Sequence, residues 1–359
     1  MLPADWRPEV TDPHPVRVAL IGCGLIGSQW DAERCDATHS LTHARAFSRH
    51  PGACLVACCD ADLAKAERAA RLWGGRAYAD PHTLFAEQAI DLAVVASASS
   101  ARADVIAPAL AAGVKTLVIE KPLATTLQES QALVAACAAA GARTLVNYSR
   151  HWDPSMLDLR RRWQAGEFGA VQRLLGSYGK GLSNNGSHLI DLARSLSGGR
   201  LLRARSLGSP LPDSESRWSS GADRALDAQV ELIDADGRLL RLDMRGTDQS
   251  AFTCFELRLI GREAMVDISQ GGRRIELTDI QPDPDYPGYR IPGRRQALPA
   301  RALEAMDRMA DEAVALAGLG AGRPGPSSCD VRHALTTAMA VAAIHQSEGE
   351  SGRWVDIDA

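Results

Sequence analysis

The sequence predicts an α/β protein in two parts: a doubly wound parallel sheet, then an α+β half with a large open, mostly antiparallel sheet. Three observations predict it. Residues 16–147 alternate short, continuously apolar runs with helix-period stretches, the pattern of strands buried on both faces by crossover helices. A glycine-rich turn, "GCGLIG" at 22–27, directly follows the first apolar run. After Asn147 apolar and polar residues alternate one by one, as in strands with one buried and one polar face.

In the first half the strands are "VRVALI", "CLVACC", "DLAVVA", "KTLVI" and "RTLVN". Between them "DLAKAERAARLW", "ARADVIAPALAAG" and "TLQESQALVAACAAAG" carry the helix period. Strand and helix in alternation imply a parallel sheet. In the second half, "VQRLLGSY" runs to Tyr178 as a strand. Leu226, Ala228, Val230 and Leu232 form one apolar face, Leu240, Leu242 and Met244 another, and Asp236-Gly237 supplies the turn between them. "FELRLIG" continues the period, and helices are predicted near 299–317 and 330–346, flanking the turn-rich "GLGAGRPGPSS". A further helix is predicted from about Ser187, with Leu189, Leu192, Ala193 and Leu196 on one stripe. That places His188 in a first helical turn, where the peptide dipoles disfavour a second positive charge. A neutral imidazole there suits a base or a hydrogen-bond donor.

Composition narrows the function. With 359 residues the chain is long for one core and sufficient for two, and a net charge of −4 gives no electrostatic footprint for nucleic acid. No apolar run approaches the ~18–20 residues of a membrane span. The opening "MLPADWRPEVTDPHP" lacks a basic segment followed by an apolar one. The expectation is a cytoplasmic protein with no membrane partner. The eight cysteines (23, 35, 54, 58, 59, 137, 254, 329) lie mostly within apolar runs without paired metal spacing, and they read as buried thiols. Lysine occurs only at 65, 115, 121 and 180, so Lys121 and Lys180 stand out against an arginine background.

Gly22, Gly24 and Gly27 have G-x-G-x-x-G spacing between a strand and a helix, the fingerprint of a dinucleotide-binding Rossmann unit. One glycine makes the tight turn, one lets the backbone approach a pyrophosphate, and one lets helix and strand pack closely. Asp60, closing the second strand, would accept from the adenosine ribose hydroxyls, which favours NAD over NADP. It lies further along the chain than usual because of an insertion at 29–42. His39 and His43 in that region have i, i+4 spacing but lack the glutamate of H-E-x-x-H, so no metal site is expected. "VIEKPLA" ends another parallel strand and delivers Lys121 towards the nicotinamide site.

"GCGLIG", "EKP" at 120–122, "VNYSRHWDP" at 146–154, "NNGSHLIDL" at 184–192 and the closing "GRWVDI" resemble the Gfo/Idh/MocA family of nicotinamide-dependent oxidoreductases in order and spacing. The resemblance implies an arm over 1–15, a Rossmann domain over 16–150, and a substrate and oligomerisation domain over 151–359. It implies cofactor contacts at Gly22, Gly24, Leu25, Ile26, Gly27, Asp60, Ala96, Ser97, Glu120, Lys121 and Asn147. It also implies hydride transfer between nicotinamide and a secondary alcohol or ketone of a sugar, sugar nucleotide or cyclitol. There Lys121 would bind the reacting oxygen and His188 would act as general base. Asn184 stands where many relatives carry aspartate, and Arg102 where relatives often carry histidine, which leaves the 96–102 contacts to backbone atoms. Tyr178, Lys180 and Asn185 fall where relatives contact substrate, and Lys180 suits a phosphate or carboxylate. Arg150 either touches substrate or ties the halves together. The resemblance further implies a homodimer or homotetramer. Two alternatives share the scaffold: a non-catalytic NAD-binding regulator, and an NAD-dependent glycoside-cleaving enzyme.

Overall fold

The computed structural model describes residues 14–34, 38–209, 223–247, 252–318 and 328–357. Most of the arm, Cys35 and nearly all of the turn-rich 318–328 stretch lie outside them. The chain divides into two compact units. One takes the described residues up to Asp153 with those of Leu303–Leu335, and the other takes Pro154–Ala302 with those from Thr336 onward.

The first unit opens with β1 (Val16–Ile21), a single π-helical turn at Leu25–Gln29, and α1 (His43–Arg49). β2 (Ala53–Cys59), α2 (Leu63–Trp73), β3 (Arg76–Tyr78), α3 (Pro81–Glu87) and β4 (Leu92–Val95) follow. α4 (Arg102–Ala111), β5 (Thr116–Ile119), α5 (Leu127–Ala139) and β6 (Arg143–Val146) complete the alternation. The six strands pair in parallel in the order β3-β2-β1-β4-β5-β6, the doubly wound arrangement the sequence predicts. The order reverses between β1 and β4, where such sheets bind ligands. The helix starts are chemically marked. Thr42 caps α1, Asp62 caps α2, Asp80 caps α3 ahead of Pro81, and Thr126 with Glu129 forms a capping box on α5. Inside the insertion, Asp31 Oδ2 accepts from the backbone of Leu41 and Thr42 and from the Thr42 hydroxyl, each within 2.9 Å. That carboxylate fixes the approach to α1.

The second unit starts with α6 (Pro154–Gln164), β7 (Val171–Tyr178), a π-helical turn at Leu182–Gly186, and α7 (Ser187–Ser197). β8 (Arg200–Gly208), β9 (Asp227–Ile233), β10 (Leu239–Gly246), β11 (Phe255–Gly261), β12 (Ala264–Ser269), β13 (Arg274–Pro282) and β14 (Arg290–Leu298) follow. The chain then returns to the first unit through α8 (Ala305–Gly318) and the start of α9 (Val331–Gly349). It ends in the second with β15 (Val355–Asp356). Nine strands form one sheet in the order β14-β13-β12-β11-β7-β10-β9-β8-β15, antiparallel except where β10 runs parallel to β7. Its apolar face shares a core with α6, α7 and the latter part of α9. The Leu189, Leu192, Ala193 and Leu196 stripe is essentially inaccessible, each leucine contributing about 1.5–3 kcal/mol by leaving water. Gly176 in β7 makes that packing possible, since a Cβ there would lie 2.3 Å from Leu189 Cδ2. On the other face Glu231 binds Arg203 at 2.7 Å and Arg241 at 2.5 Å.

One assignment differs from the 151–359 domain read from the sequence. Met309, Ala310, Ala313 and Val314 of α8 belong to the core of the first unit, packed against β1, β4, β5 and β6. Helical periodicity reveals that a helix has an apolar face; it carries no information on which sheet will cover it.

Candidate active site

The first unit gathers most of the residues expected to hold a cofactor. Gly22 leaves β1 with φ +99°, and a Cβ there would sit 2.4 Å from the Ala96 carbonyl carbon and 2.5 Å from Ser97 N. A Cβ on Gly27 would lie 2.0 Å from Gly22 O. These two glycines are demanded by the protein itself. Gly24 is different, because a Cβ there would meet no protein atom within 4 Å, which is the open approach a pyrophosphate needs. The turn that follows is π-helical, with Gln29 N bonded to Gly24 O and Trp30 N to Leu25 O. Asp60, just beyond β2, accepts from Cys23 N at 2.8 Å through Oδ2 and from Asp62 N at 3.0 Å through Oδ1. Its carboxylate is thereby locked beside the glycine turn, with lone pairs left for ribose hydroxyls.

Glu120 and Asn147 lie just past β5 and β6, and Asn147 N bonds to Ile119 O at 2.9 Å. Glu120 Oε1 takes the Asn147 amide at 2.6 Å and stands 2.8 Å from His43 Nε2. All three side chains are buried. Burial alone would raise the Glu120 carboxyl. Hydrogen bonding and charge from His43, the Lys121 ammonium and the Asn147 amide outweigh it and hold the group below its ordinary range. Glu120 therefore anchors the chain immediately before Lys121, which is half-buried and joined to Pro122 by a cis peptide.

Arg102 is more than a departure from the family pattern. It is 2 % exposed, and its Nη2 donates to Ser97 O at 2.9 Å, bracing the loop after β4. Burial lowers its guanidinium to about 10. Arg102 Nε and Nη1, Ser97 Oγ, Asn147 Oδ1 and His43 Nδ1 are buried without a hydrogen-bond partner. Buried polar atoms of this kind are normally satisfied. Together with the open approach over Gly24 and the Asp60 carboxylate, they fit a nicotinamide dinucleotide. Of the two histidines weighed as a metal pair, His43 is committed to Glu120, while His39 faces Asp307 at 3.9 Å.

The second unit carries the other candidates. β7 ends in Tyr178, after which Lys180 at φ +65° and Gly181 at φ +81° turn the chain into Leu182–Gly186. Lys180 is half-buried, which lowers its ammonium below the ordinary value. Asn184, Asn185 and His188 are all half-buried on the turn and the start of α7. The His188 ring lies edge-on to Phe255 with centroids 6.5 Å apart. Asp223, unremarked in the sequence, accepts from Ser183 N at 2.8 Å and Asn184 N at 2.9 Å, so a carboxylate does reach this turn. Burial raises its carboxyl.

One expectation is corrected here and the reasoning behind another changes. Tyr178 is fully buried and its hydroxyl donates to Leu226 O at 2.7 Å, making it a core residue rather than a substrate contact. His188 is the second residue of α7, as the sequence predicts, but α7 does not open the helical bonding. Helical bonding begins at Gly181, whose carbonyl accepts from Asn185 N and Gly186 N, so the π-helical turn runs straight into α7. The dipole argument for a neutral imidazole falls off within the first turn and loses its basis here. Arg150 lies half-buried in a 3₁₀ turn just after β6.

Part of the chain matches known proteins. Residues 16–148 match the model of the oxidoreductase family with an NAD-binding Rossmann fold. Inositol 2-dehydrogenase 2 of Saccharopolyspora erythraea is 32% identical over 203 residues, covering 53% of this chain and 56% of that one. scyllo-Inositol 2-dehydrogenase (NAD+) of Bacillus subtilis is 32% identical over 158 residues, 44% of this chain and 42% of its own. The chain thus spans about half the length of the curated relatives it matches. An inositol dehydrogenase homologue of Azotobacter vinelandii, solved with NADH and myo-inositol, shares the fold. Its TM-score is 0.74 at 20% identity, with 96% of this chain and 98% of that one covered. Among the described residues, no helix is long and apolar enough to cross a membrane. Residues 16–148 are thus similar to the NAD-binding Rossmann domain of the Gfo/Idh/MocA oxidoreductases.

Proposed function

We propose that the protein is an NAD-dependent dehydrogenase that oxidises a secondary alcohol of a cyclitol or sugar, or reduces the corresponding ketone. The observation that carries this reading is the anchoring of Glu120 by His43 and Asn147, which fixes the backbone that presents Lys121. NAD, when bound, accepts the hydride from the carbinol carbon. Lys121 donates a hydrogen bond to the reacting oxygen and stabilises its developing negative charge. His188 removes the hydroxyl proton through a ring nitrogen and returns it in the reverse direction. Asn184, Asn185, Lys180 and Arg150 orient the remaining hydroxyls, and Lys180 suits a substrate with a phosphate or carboxylate. The relatives' printed activities on inositols support the cyclitol reading, and they do not favour a regulator or a glycoside-cleaving enzyme.

A cytoplasmic homo-oligomer is part of the proposal. The described cysteines are free thiols, buried except Cys54. The polar face of the nine-stranded sheet presents Trp354 between the guanidiniums of Arg203, Arg205 and Arg241, at 4.8, 4.8 and 5.5 Å, a surface suited to a second copy. The test is to incubate the protein with NAD and a panel of inositols, free sugars and sugar nucleotides while following nicotinamide absorbance. Turnover of one class, reduced about 10²–10³-fold in Lys121→Met with NAD binding retained, is expected. NAD binding without turnover of any alcohol, or of any ketone with NADH, would overturn the proposal.

A further inference from the structure

We infer that His151, Cys329 and His333 form a binding site for one divalent transition-metal ion of the zinc type. The inference is independent of the proposed dehydrogenase chemistry. Each side chain offers one ligand atom, and these atoms lie within 4.8 Å of one another. The two imidazoles stand edge to face, with centroids 4.7 Å apart and an interplanar angle of 86°. In a tetrahedral zinc site, bond lengths of about 2.0–2.1 Å to nitrogen and 2.3 Å to sulfur put donors roughly 3.3–3.8 Å apart. Small side-chain rotations close the difference.

The backbone around the three residues is firmly held. Trp152 Nε1 donates to Glu312 Oε2 at 2.7 Å, and Ser328 donates to the same carboxylate through N at 2.8 Å and Oγ at 2.6 Å. One buried glutamate therefore fixes the neighbours of both His151 and Cys329. Cys329 O accepts from Val146 N at 2.8 Å, and Val331 N donates to Thr144 Oγ1 at 3.1 Å, tying this stretch to β6. His333 N donates to Asp330 Oδ1 at 2.8 Å, the cap that starts α9. Such support from surrounding hydrogen bonds is what orients ligands in metal sites. A thiol with two imidazoles selects zinc, cobalt, nickel or copper over magnesium or calcium. Three protein ligands leave the fourth position to water or another donor. Cys329 and His333 are buried and half-buried, respectively, and Cys329-x-x-x-His333 is the only local trace of the site in the sequence, which reads there as an isolated buried thiol.

The test measures metal bound to the full-length protein after addition of one equivalent of Zn²⁺ or Co²⁺ and exhaustive dialysis. The expected result is one ion per chain, with a thiolate-to-cobalt charge-transfer band and the intense d–d bands of a tetrahedral site. Cys329→Ser should abolish the charge-transfer band. His151→Gln and His333→Gln should each weaken metal affinity at least tenfold, with unchanged circular dichroism showing that they fold. Cys54→Ser, at the exposed thiol, should change nothing. Loss of metal from the native protein on dialysis, absence of a thiolate band, or a band persisting in Cys329→Ser would overturn the assignment.

Discussion

Gly24→Ala separates a glycine kept for the ligand from glycines kept for the fold. Gly24 has φ −76°, which any residue adopts, and its added Cβ meets no protein atom within 4 Å. Alanine at such a position stabilises by about 0.4–1 kcal/mol through the unfolded chain. The same methyl would enter the space through which the pyrophosphate approaches, and overpacking of that kind costs about 1–3 kcal/mol. The NAD dissociation constant should therefore rise about 5- to 150-fold, while the melting temperature of the free protein stays level or rises. Gly27→Ala should behave oppositely. Its Cβ would overlap Gly22 O at 2.0 Å, so the free protein should lose about 1–3 kcal/mol. Calorimetric NAD titration and thermal denaturation of both variants provide the readouts. A Gly24→Ala protein that binds NAD like the parent would refute the placement of the pyrophosphate over this turn. One that melts markedly lower would refute the claim that no protein atom opposes the methyl.

The remaining predictions concern buried polar groups. Glu120 titrates below its ordinary value of 4.5, so its stabilisation is complete above that pH and lost as the pH falls through the folded value. Glu120→Gln should lose about 1–3 kcal/mol at pH 7, and denaturant titrations should show the gap narrowing in acid; a constant gap would contradict the assignment. Arg102→Met removes a guanidinium with two unsatisfied buried nitrogens. The free protein should lose no more than the bond to Ser97 O, about 1–3 kcal/mol, whereas NAD affinity should fall as well, and unchanged NAD affinity would count against a cofactor-directed role. Tyr178→Phe deletes the bond to Leu226 O and should cost about 0.5–1.5 kcal/mol of stability with KM unchanged. A raised KM would restore Tyr178 to the substrate site.

What could be read in the sequence was local. The glycine turn, Asp60, Glu120 and Asn147 each sit at the end of a continuous apolar run, and in a parallel sheet such ends converge. β3 has only three residues, too few for a period, although Asp80-Pro81 marks the helix after it. Two of the pairings that finish the site are long-range, His43 with Glu120 and Asp223 with the Ser183–Asn184 backbone, and a third, Arg102 with Ser97 O, is local. None has a periodic signature, and Arg102 and Asp223 pass for surface charges until the fold buries them. Tyr178 is instructive in the other direction. Leu174, Gly176 and Tyr178 share one parity of β7 and one buried face, so the alternation already placed Tyr178 in the core. Its position at a strand end suggested a role that the alternation opposed. His188 depended on where helical bonding begins, and a π-helical turn ahead of α7 leaves no composition signal distinct from a loop.

The most direct test of hydride transfer follows a label. A cyclitol or sugar substrate deuterated at the reacting carbinol carbon is incubated with NAD, and the deuterium is located by mass spectrometry and NMR. The account predicts one deuterium at nicotinamide C4 of NADH for each ketone formed, with transfer suppressed in Lys121→Met and His188→Ala. Deuterium retained in a released sugar with no net NADH, or no transfer to any substrate, would contradict it.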